Sequence, residues 1–446
     1  MPTLLIIYPH WHPANLAGVH RPRLIGNYLP DFGWKVRVLT VEEQYFEETL
    51  DPDFHRTFSE NFEVTRVRAK KVTKPRIIGD IGLRSMKYIK RKALEIIRTE
   101  KIDFVWIPIP SFYMALVGPY LYKRTGVPYG IDYIDPWVRD LTNQRNPRAI
   151  LSQWIARMLE PKAVKKAALI TGVNRKYYEA VLERNKLLDR KPHPVIEADF
   201  PYGFDPNDHK IILENIDYPW AKATSKASSL QHHGEGRGPV WLYTGAFLPN
   251  SHLFVDLLFK ALAEIRQEKN GILENHQFWF IGTGPYPAKR ITAYAADHGI
   301  QDQVFEIRER APYLHTLNYQ TAADTLMIIG STEKHYTASK TYQSLLSRRP
   351  VFALLHHQSQ ALEVLKECKA DTYAVGYDDR QSETDFLNAM KKVLWARIEN
   401  NTWNPDLASL EKYSARESAR KLSLALEEAL EQSAVASRQS AVGSLQ

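Results

Sequence analysis

The sequence is poor in cysteine, with only Cys368 among its 446 residues. One cysteine cannot form a disulfide within the chain, and it excludes a zinc site built from several cysteines. Proteins of oxidising compartments tend to carry paired cysteines, so this composition favours a reducing, cytoplasmic setting. We therefore expect a protein whose stability comes from packing rather than from cross-links.

Long hydrophobic runs are also scarce. One uncharged stretch, residues 104–122, has the length of a membrane span, but Pro108, Pro110 and Pro119 interrupt it. A spanning helix needs about 17–25 mainly apolar residues without such breaks. We interpret this stretch as a buried strand, a turn and a core helix, and we expect the chain to be soluble or peripheral to a membrane.

The chain is long and moderately basic. Its 446 residues exceed what one hydrophobic core supports, because cores stop growing at about 250–300 residues. Hydrophobic residues make up 44%, and 59 Lys and Arg against 51 Asp and Glu give a net charge of +8. This composition predicts two domains of ordinary globular type.

Strands and helices alternate through the first half of the chain. Apolar runs predict strands at Thr3–Tyr8, Lys35–Thr40, Phe104–Ile107, Tyr129–Ile134 and Leu169–Gly172. Helical patterns between them predict helices at Arg23–Phe32, Phe112–Thr125 and Ile150–Ala168. Such alternation is typical of an α/β domain with a parallel sheet and right-handed crossovers.

The alternation stops in a turn-rich polar segment and then resumes. Strands are predicted at Val240–Thr244, Phe278–Gly282, Val304–Ile307, Thr325–Ile329 and Val351–Leu355, with helices at Ser251–Glu268, Tyr313–Ala323, Lys340–Ser347, Gln358–Lys369, Glu383–Asn401 and Ser414–Gln432. We therefore predict an N-terminal domain over 1–205, a linker or insertion over 206–238 and a second domain over 239–405. A helix is predicted over 406–432, and it could pack back on the N-terminal domain. The tail over 433–446 is predicted to be disordered. Tandem doubly wound domains of this kind place a cleft at the carboxyl ends of two parallel sheets.

The first predicted strand leads into a loop that contains Gly18, followed by Arg21 and Arg23. Glycine lets the backbone approach a ligand closely, and positive charge beside a helix start favours anions. The alternative is a glycine turn with solvated arginines. The position at the carboxyl end of a strand favours a functional loop.

Two carboxylates, Asp132 and Asp135, occur at the end of another predicted strand. A carboxylate at that edge of a sheet can orient a hydroxyl group or act as a general base. The alternative is a helix cap or a turn, because Asp-Pro is a strong turn signal.

In the second half, glycines follow two successive strands, with Gly245 after the first and Gly282 and Gly284 after the second. Isolated glycines indicate only tight turns. Glycines at the ends of neighbouring strands predict a floor where backbone N–H groups meet phosphate.

A segment before a predicted helix combines hydroxyls, a lysine and an amide. It contains Thr337, Ser339, Lys340, Thr341 and Gln343. Hydroxyl and N–H donors with a lysine at a helix start predict a diphosphate-binding site, and Gln343 is placed to bind a ribose. The alternative is a capped helix with a surface lysine.

The window 61–100 is strongly basic, with twelve Lys and Arg against four Asp and Glu. Arg84, Lys87 and Arg91 share one face of a predicted amphipathic helix. Such a face can bind an anionic membrane, although a solvated helix face is the usual case. The aromatic residues are not interleaved for base stacking, so we expect no nucleic acid partner.

Two further patterns are compatible with metal binding. His10 and His12 are two residues apart, and Asp51 and Asp53 form an Asp-x-Asp pair. The histidines lack a third ligand nearby and the aspartates lie in an acidic loop, so we expect no metal site.

Taken in order, several short motifs resemble the family 4 glycosyltransferases, which are retaining enzymes of the GT-B fold. The likeness is closest to members that build bacterial surface polysaccharides, and it extends from Thr3 to about Lys369. The segments concerned are Gly18-Val19-His20-Arg21-Pro22-Arg23, Asp135-Pro136-Trp137, Gly203-Phe204-Asp205, Gly282-Thr283-Gly284-Pro285, Ser339-Lys340-Thr341-Tyr342 and Arg349-Pro350-Val351.

The resemblance implies two Rossmann-like domains and transfer of a sugar from a nucleotide-diphosphate sugar to a saccharide or lipid-linked acceptor. It implies no cofactor and no metal. On this basis Lys340, Arg21 and Asp135 are expected to be catalytic, with Asp135 orienting the acceptor. The predicted donor-binding residues are Gly18, Gly245, Gly282, Gly284, Arg310, Thr337, Ser339, Thr341 and Gln343.

The sequence departs from the family at several donor-side positions. Two positions that many members fill with glutamates hold His335 and Gln343, and the usual Arg/Lys clamp positions hold Ala246 and Ser251. Two alternatives therefore stay open. One is a nucleotide-sugar epimerase of the same fold, and the other is a catalytically silent binding or scaffold subunit. For the transferase, we expect a cytoplasmic location that extends to the inner face of the plasma membrane.

Overall fold

The structure is a computed structural model that describes residues 1–73, 79–139, 146–191, 193–223, 238–247, 249–269, 271–285, 289–332, 334 and 340–443. It divides into two compact units. Unit 1 comprises Met1–Asp205 with Tyr413–Gln446, and unit 2 comprises Pro206–Lys412.

Unit 1 is built on a parallel sheet of seven strands. The strands are β1 (Thr3–Ile7), β2 (Lys35–Val41), β3 (Glu63–Val67), β4 (Phe104–Ile109), β5 (Tyr129–Tyr133), β6 (Leu169–Gly172) and β7 (Ile196–Asp199). Their order is β3-β2-β1-β4-β5-β6-β7, with every pair parallel. The central strands are buried throughout β4 and over most of β1, as their continuous apolar runs require.

Helices follow the strands of unit 1. They are α1 (Ala17–Tyr28), α2 (Ile81–Thr99), α3 (Val117–Thr125), α4 (Pro147–Val164) and α5 (Glu179–Arg184). The uncharged stretch 104–122 forms β4, a 3₁₀ turn at Phe112–Leu116 and most of α3, which confirms its interpretation as strand, turn and helix. Among the described residues, no helix combines the length and the hydropathy that a membrane crossing requires.

Unit 2 contains a second parallel sheet, of six strands. They are β8 (Val240–Thr244), β9 (Gln277–Ile281), β10 (Val304–Ile307), β11 (Thr325–Ile329), β12 (Val351–His356) and β13 (Ala374–Tyr377), in the order β10-β9-β8-β11-β12-β13. The helices are α6 (Pro219–Ala223), α7 (His252–Glu268), α8 (Ile291–Asp297), α9 (Tyr313–Ala322), α10 (Lys340–Leu346), α11 (Gln360–Glu367) and α12 (Glu383–Glu399). The two parallel sheets confirm the predicted α/β class.

A final helix, α13 (Ala415–Gly443), packs on unit 1. The amide of Ala415 donates to the carbonyl of Phe204 at 2.9 Å, and the indole N–H of the buried Trp34 donates to the Ser423 hydroxyl at 3.2 Å. The helix continues to Gly443, so the predicted disorder is wrong for residues 433–443.

Candidate functional site

In unit 2, the carboxyl ends of β8 and β9 carry the three glycines that were predicted to bind phosphate. Gly245, Gly282 and Gly284 have φ angles of +119°, +80° and +86°, a region that strains any residue with a Cβ. Their own amides are occupied, since they donate to the carbonyls of Ile281, Ile307 and Arg308 at 2.8–2.9 Å. The glycines therefore shape the turns at this edge, and the predicted floor of free glycine N–H groups is wrong.

The turn at the end of β9 is fixed by a carboxylate on the neighbouring strand. Glu306 accepts a hydrogen bond from the Thr283 hydroxyl at 2.7 Å and another from the Ile291 amide at 3.2 Å. Arg308 adds a bond from its Nε to the Gly284 carbonyl at 2.8 Å. These contacts brace the turn at 282–284, and the sequence motifs did not identify Glu306 or Arg308.

Lys340, the first described residue of α10, places a buried amine beside these turns. Its Nζ lies 3.9 Å from the centre of the Tyr243 ring and 3.5 Å from the point where a Cβ of Gly245 would stand. Nζ has no hydrogen-bond partner among the described residues. Burial lowers the pKa of Lys340 to about 7, because the charged form loses its hydration. The result is a buried amine without a counterion in the described part of the chain.

Arg310 adds a second cation at the same edge. It is exposed, and its Cα lies 3.9 Å from the position of a Cβ on Gly282. Lys340 and Arg310 thus stand beside the two adjacent turns that end β8 and β9. A diphosphate requires positive charge of this kind, and the roles of Lys340 and Arg310 at a donor site stay predictions.

Gln343 lies one turn into α10 and is held by two aromatic side chains. Nε2 of His209 donates to its Oε1 at 2.6 Å, and its Nε2 donates to the Tyr313 hydroxyl at 3.3 Å. Tyr313 in turn donates to Asp208 at 2.8 Å. One lone pair of Oε1 and one hydrogen of Nε2 remain for a ligand, because an amide offers two of each. His209 and Tyr313 were not predicted, and nothing in the sequence pairs them with Gln343.

The other predicted donor residues of this segment have different outcomes. Thr341 is buried at 1% exposure, and its Oγ1 has no partner among the described residues. Thr337 and Ser339 lie outside the described residues, and so does His335. Ser251 donates to the Gly330 carbonyl at 2.6 Å, which gives it a structural role.

In unit 1, Arg21 is part of a buried ion pair. Its Nε and Nη2 donate to the two oxygens of Asp132 at 2.6 and 2.9 Å, and both side chains have 0% exposure. Nη1 donates to the carbonyls of Phe200 and Pro201. Thr171 donates to Asp132 at 2.6 Å and completes the network. Four of the five guanidinium N–H donors are used in these contacts, and the side chain is fully buried, so the structure contradicts a catalytic role for Arg21.

Gly18 and Arg23 are also structural. Helix α1 begins at Ala17, six residues before the predicted start, so Gly18 lies in its first turn rather than in a loop. A Cβ at Gly18 would overlap the Tyr8 hydroxyl, which explains the glycine without a ligand. Arg23 is fully buried and donates to the Thr57 carbonyl at 3.1 Å. The predicted anion-binding loop is therefore wrong.

Asp135 follows β5 at the carboxyl edge of the first sheet. It is half-buried and has no hydrogen bond or ion pair to a described residue. Burial raises its pKa, and Arg139 opposes the shift. Its charge in turn contributes to the raised pKa values of Tyr177 and Tyr202, for which burial is the main cause. The role of orienting an acceptor hydroxyl, which the sequence analysis gave to Asp135, stays a prediction.

The two histidines that were considered as metal ligands, His10 and His12, are largely buried among other side chains. His10 lies 3.4 Å from Glu48, and burial lowers its pKa. Burial and the nearby Arg66 lower the pKa of His12 to about 4. The described residues contain no group of three or more His, Cys, Asp or Glu that could hold a metal ion.

The basic helix predicted to face a membrane is α2, and its three candidate residues differ. Arg84 is buried at 5% exposure, donates to the Lys70 carbonyl at 2.9 Å and pairs with Glu47 at 2.6 Å. A membrane-facing position for Arg84 is therefore wrong. Lys87 and Arg91 are exposed on the same helix.

Comparison with known proteins identifies the fold. No protein-family model and no curated relative matches the sequence. Sucrose-phosphate synthase from Thermosynechococcus elongatus is similar over 99% of this chain and 100% of its own, with a TM-score of 0.51 and 16% identity. HepE from Anabaena, solved with UDP and glucose, is similar over 96% and 100%, with a TM-score of 0.56 and 12% identity.

A third solved structure shows a similarity of the same extent. The UDP-forming α,α-trehalose-phosphate synthase from Burkholderia vietnamiensis is similar over 96% of this chain and 100% of its own, with a TM-score of 0.57 and 11% identity. The similarity spans both units and extends over nearly the full length of each neighbour. This chain therefore has the GT-B fold, with one Rossmann-like unit on each of its two parallel sheets.

Proposed function

We propose that this chain is a glycosyltransferase that moves a sugar from a nucleotide-diphosphate sugar to a saccharide or lipid-linked acceptor. The observation that carries the proposal is the buried Lys340 amine, which has no described hydrogen-bond partner and lies beside Gly245 with Arg310 at the next turn. A buried cation without a partner is costly unless a ligand supplies the anion. HepE, a structural neighbour with the same fold, binds UDP.

The chemistry needs stabilisation of a leaving group. As the bond between the sugar and the diphosphate breaks, negative charge grows on the phosphate oxygens. A preorganised donor in such a site contributes about 2.7–4 kcal/mol to transition-state stabilisation. Lys340 and Arg310 take this role, and an approaching anion raises the pKa of Lys340 so that the bound form is fully charged. Because protein cations supply this charge, the proposed reaction is metal-independent.

Gln343 and Asp135 complete the proposal. His209 and Tyr313 orient the Gln343 amide, whose remaining donor and acceptor bind the ribose hydroxyls. Asp135, on unit 1, orients the acceptor hydroxyl. Following the family resemblance, we propose retention of configuration at the sugar, and a role in surface polysaccharide synthesis near the inner membrane face, where Lys87 and Arg91 are exposed on α2.

Nucleotide binding is the first test. Thermal unfolding is measured with UDP, GDP, ADP, TDP and CMP for the wild type, Lys340→Met and the control Lys260→Met, whose lysine is exposed on α7. A ligand at about 100 times its Kd adds about 2.7 kcal/mol of stability. We expect one diphosphate to stabilise the wild type and the control but not Lys340→Met. The absence of any shift in the wild type would contradict the proposal.

Asp135→Asn then separates binding from transfer. We expect it to keep the nucleotide shift and to lower transfer to an acceptor by about 100-fold, since general acid–base groups contribute about 10²–10⁴-fold. The donor in the transfer assay is a nucleotide-diphosphate sugar of the nucleotide that stabilises the wild type. A chelator is present to test metal independence, and NMR gives the anomeric configuration of the product. Conversion of the donor without an acceptor would instead indicate an epimerase.

A scaffold subunit is the second candidate. The occupied amides of Gly245, Gly282 and Gly284 favour it, because they remove phosphate donors that the sequence suggested. A scaffold would bind the nucleotide without turnover, or would not bind it. A nucleotide shift together with sugar transfer that depends on Lys340 would exclude it.

A further inference from the structure

Helix α4 exposes a ridge of large apolar side chains. Ile150, Leu151, Trp154 and Met158 are 49%, 57%, 59% and 49% exposed. The spacing places them on one face, away from the buried Ala156, Ala163 and Val164. No other helix in the described part of the chain exposes more than two large apolar residues. A contiguous patch of this kind marks an interaction surface rather than ordinary surface variation.

Positive charge surrounds the ridge. Arg148, Arg157 and Lys162 are exposed on α4, and Lys165 and Lys166 follow it directly. The one acidic residue of the helix, Glu160, is buried and accepts from Nη2 of Arg184 at 2.6 Å. The exposed side of α4 therefore carries cations without acidic residues.

The neighbouring helices extend this surface within unit 1. Helix α3 packs beside α4 and also beside α2. It exposes Lys123 and Arg124, and the Arg124 guanidinium lies 3.8 Å from the centre of the Tyr120 ring. Lys87 and Arg91 are exposed on α2. The apolar ridge of α4 thus lies beside α3, which exposes two cations, and α2 with its exposed Lys87 and Arg91 lies next to α3.

We propose that the exposed face of α4 docks onto an anionic lipid bilayer. The apolar ridge enters the boundary between headgroups and acyl chains, where Trp154 takes the position that tryptophan favours at membrane interfaces. The surrounding cations contact lipid phosphates. A second copy of the chain fits less well, because pairing two such ridges brings the two cationic rims together.

This inference assigns the membrane contact to α4, with α2 and α3 as its basic border. It does not depend on sugar transfer, since the surface would bind lipid in an enzyme or in a scaffold alike. Its test therefore uses lipid binding as the readout, and failure of the test leaves the proposed reaction unaffected.

Vesicle co-sedimentation tests the ridge. The full chain is mixed at low salt with vesicles of phosphatidylcholine, with or without phosphatidylglycerol. The variant Leu151→Gln/Trp154→Gln is compared with the control Ile212→Gln/Leu424→Gln, whose residues are 76% and 52% exposed outside α4. We expect the wild type and the control to bind only the anionic vesicles. The affinity of the α4 variant for anionic vesicles should be lower than that of the wild type by about tenfold or more. Burial of one large apolar side chain changes a dissociation constant by about this factor.

A fluorescent label reports insertion directly. Cys368 is buried and its burial raises the thiol pKa to about 11, so a cysteine introduced at the surface labels selectively. We compare an environment-sensitive dye on Met158→Cys with the same dye on Leu424→Cys of α13. Anionic vesicles should shift the emission of the first to the blue and leave the second unchanged.

Three results would overturn the inference. The first is a wild type that does not bind anionic vesicles, and the second is an α4 variant that binds them as the wild type does. The third is a wild-type dimer, measured by light scattering without lipid, that dissociates in the α4 variant. That result would assign the ridge to a second copy of the chain.

Discussion

At the scale of single residues, the contacts of a side chain decide what its chemistry is used for. Arg21 and Asp132 both have reactive groups at the carboxyl edge of a sheet, yet they satisfy each other in the core of unit 1. Lys340 is buried as well, but its Nζ has no described partner. Arg21 and Asp132 are satisfied within the fold, and a ligand for Lys340 stays a proposal.

The ion pair yields a stability prediction. Asp132→Asn should lower the free energy of unfolding by about 3–5 kcal/mol, because it leaves the Arg21 charge buried without its counterion. The double variant Arg21→Met/Asp132→Leu should recover a large part of this loss, since it removes both charges. Denaturant unfolding measures each variant. If Asp132→Asn were as stable as the wild type, the structural role of the Arg21–Asp132 ion pair would be contradicted.

Lys340 yields a prediction about pH. Its pKa falls from 10.5 to about 7 in the folded chain, so the unfolded chain binds more protons between these values. The free energy of unfolding should therefore rise with pH across this interval, and the rise should be absent in Lys340→Met. Thermal unfolding over the same interval checks the sign, and equal slopes for both proteins would contradict it.

Nucleotide binding should reverse that shift. At about pH 8 a diphosphate is already ionised, so proton uptake on binding reports Lys340. Titration calorimetry in two buffers of different ionisation enthalpy should give uptake of nearly one proton per nucleotide. If the apparent enthalpy is the same in both buffers, the lysine is not the anion-binding group.

At the scale of secondary-structure elements, the packing of neighbours explains a glycine that the sequence presented as functional. Gly18 lies in the first turn of α1. The residue there must be glycine because a Cβ would overlap the hydroxyl of Tyr8, the residue that follows β1. Its Cβ would also approach Cδ of Pro110 to 3.3 Å. The glycine is thus required for contact between a helix and a strand.

Gly18→Ala should therefore destabilise unit 1. Alanine favours a helix by about 1 kcal/mol over glycine, but overpacking costs about 1–3 kcal/mol. Adding Tyr8→Phe removes the overlapping hydroxyl and should restore part of the loss. The thermal midpoints of Gly18→Ala, Tyr8→Phe and the double variant measure the coupling, and additive effects would exclude the proposed contact.

Strand burial explains which elements the sequence predicted. Val240–Thr244 and Thr325–Ile329 were predicted at their observed bounds, because continuous apolar runs indicate buried strands. Val304–Ile307 was also predicted at its observed bounds, although it is an edge strand that is only partly buried. The strands that escaped prediction are β3, β7 and β13, which form three of the four sheet edges. Edge strands are partly exposed, so their sequences mix polar and apolar residues.

The candidate site was predictable only in part. Lys340, Gln343 and Asp135 lie directly after strands or at the start of a helix, where chain order alone places them at a carboxyl edge. His209, which bonds to Gln343, is 134 positions away from it in the chain, and Asp132 is 111 positions away from Arg21. Such pairings depend on tertiary contacts, which local patterns do not contain.

At the scale of the whole molecule, α13 closes unit 1 from the far end of the chain. It buries Ala415, Ala419, Leu422, Leu426 and Ala429. A chain that ends at residue 412 should therefore lose the thermal transition of unit 1 and become sensitive to protease over residues 1–205. Removal of residues 433–446 leaves these buried positions in place and should have little effect. Equal stability of both truncated chains would show that α13 is dispensable.

The same closure has a consequence for biosynthesis. Unit 2 is one continuous segment, Pro206–Lys412, whereas unit 1 needs both the beginning of the chain and the helix that follows unit 2. During translation, the sheet of unit 1 leaves the ribosome first and keeps an uncovered apolar face while unit 2 is made and folds. Exposed apolar surface is what chaperones bind and what drives aggregation. The nascent chain is therefore expected to need protection until α13 emerges.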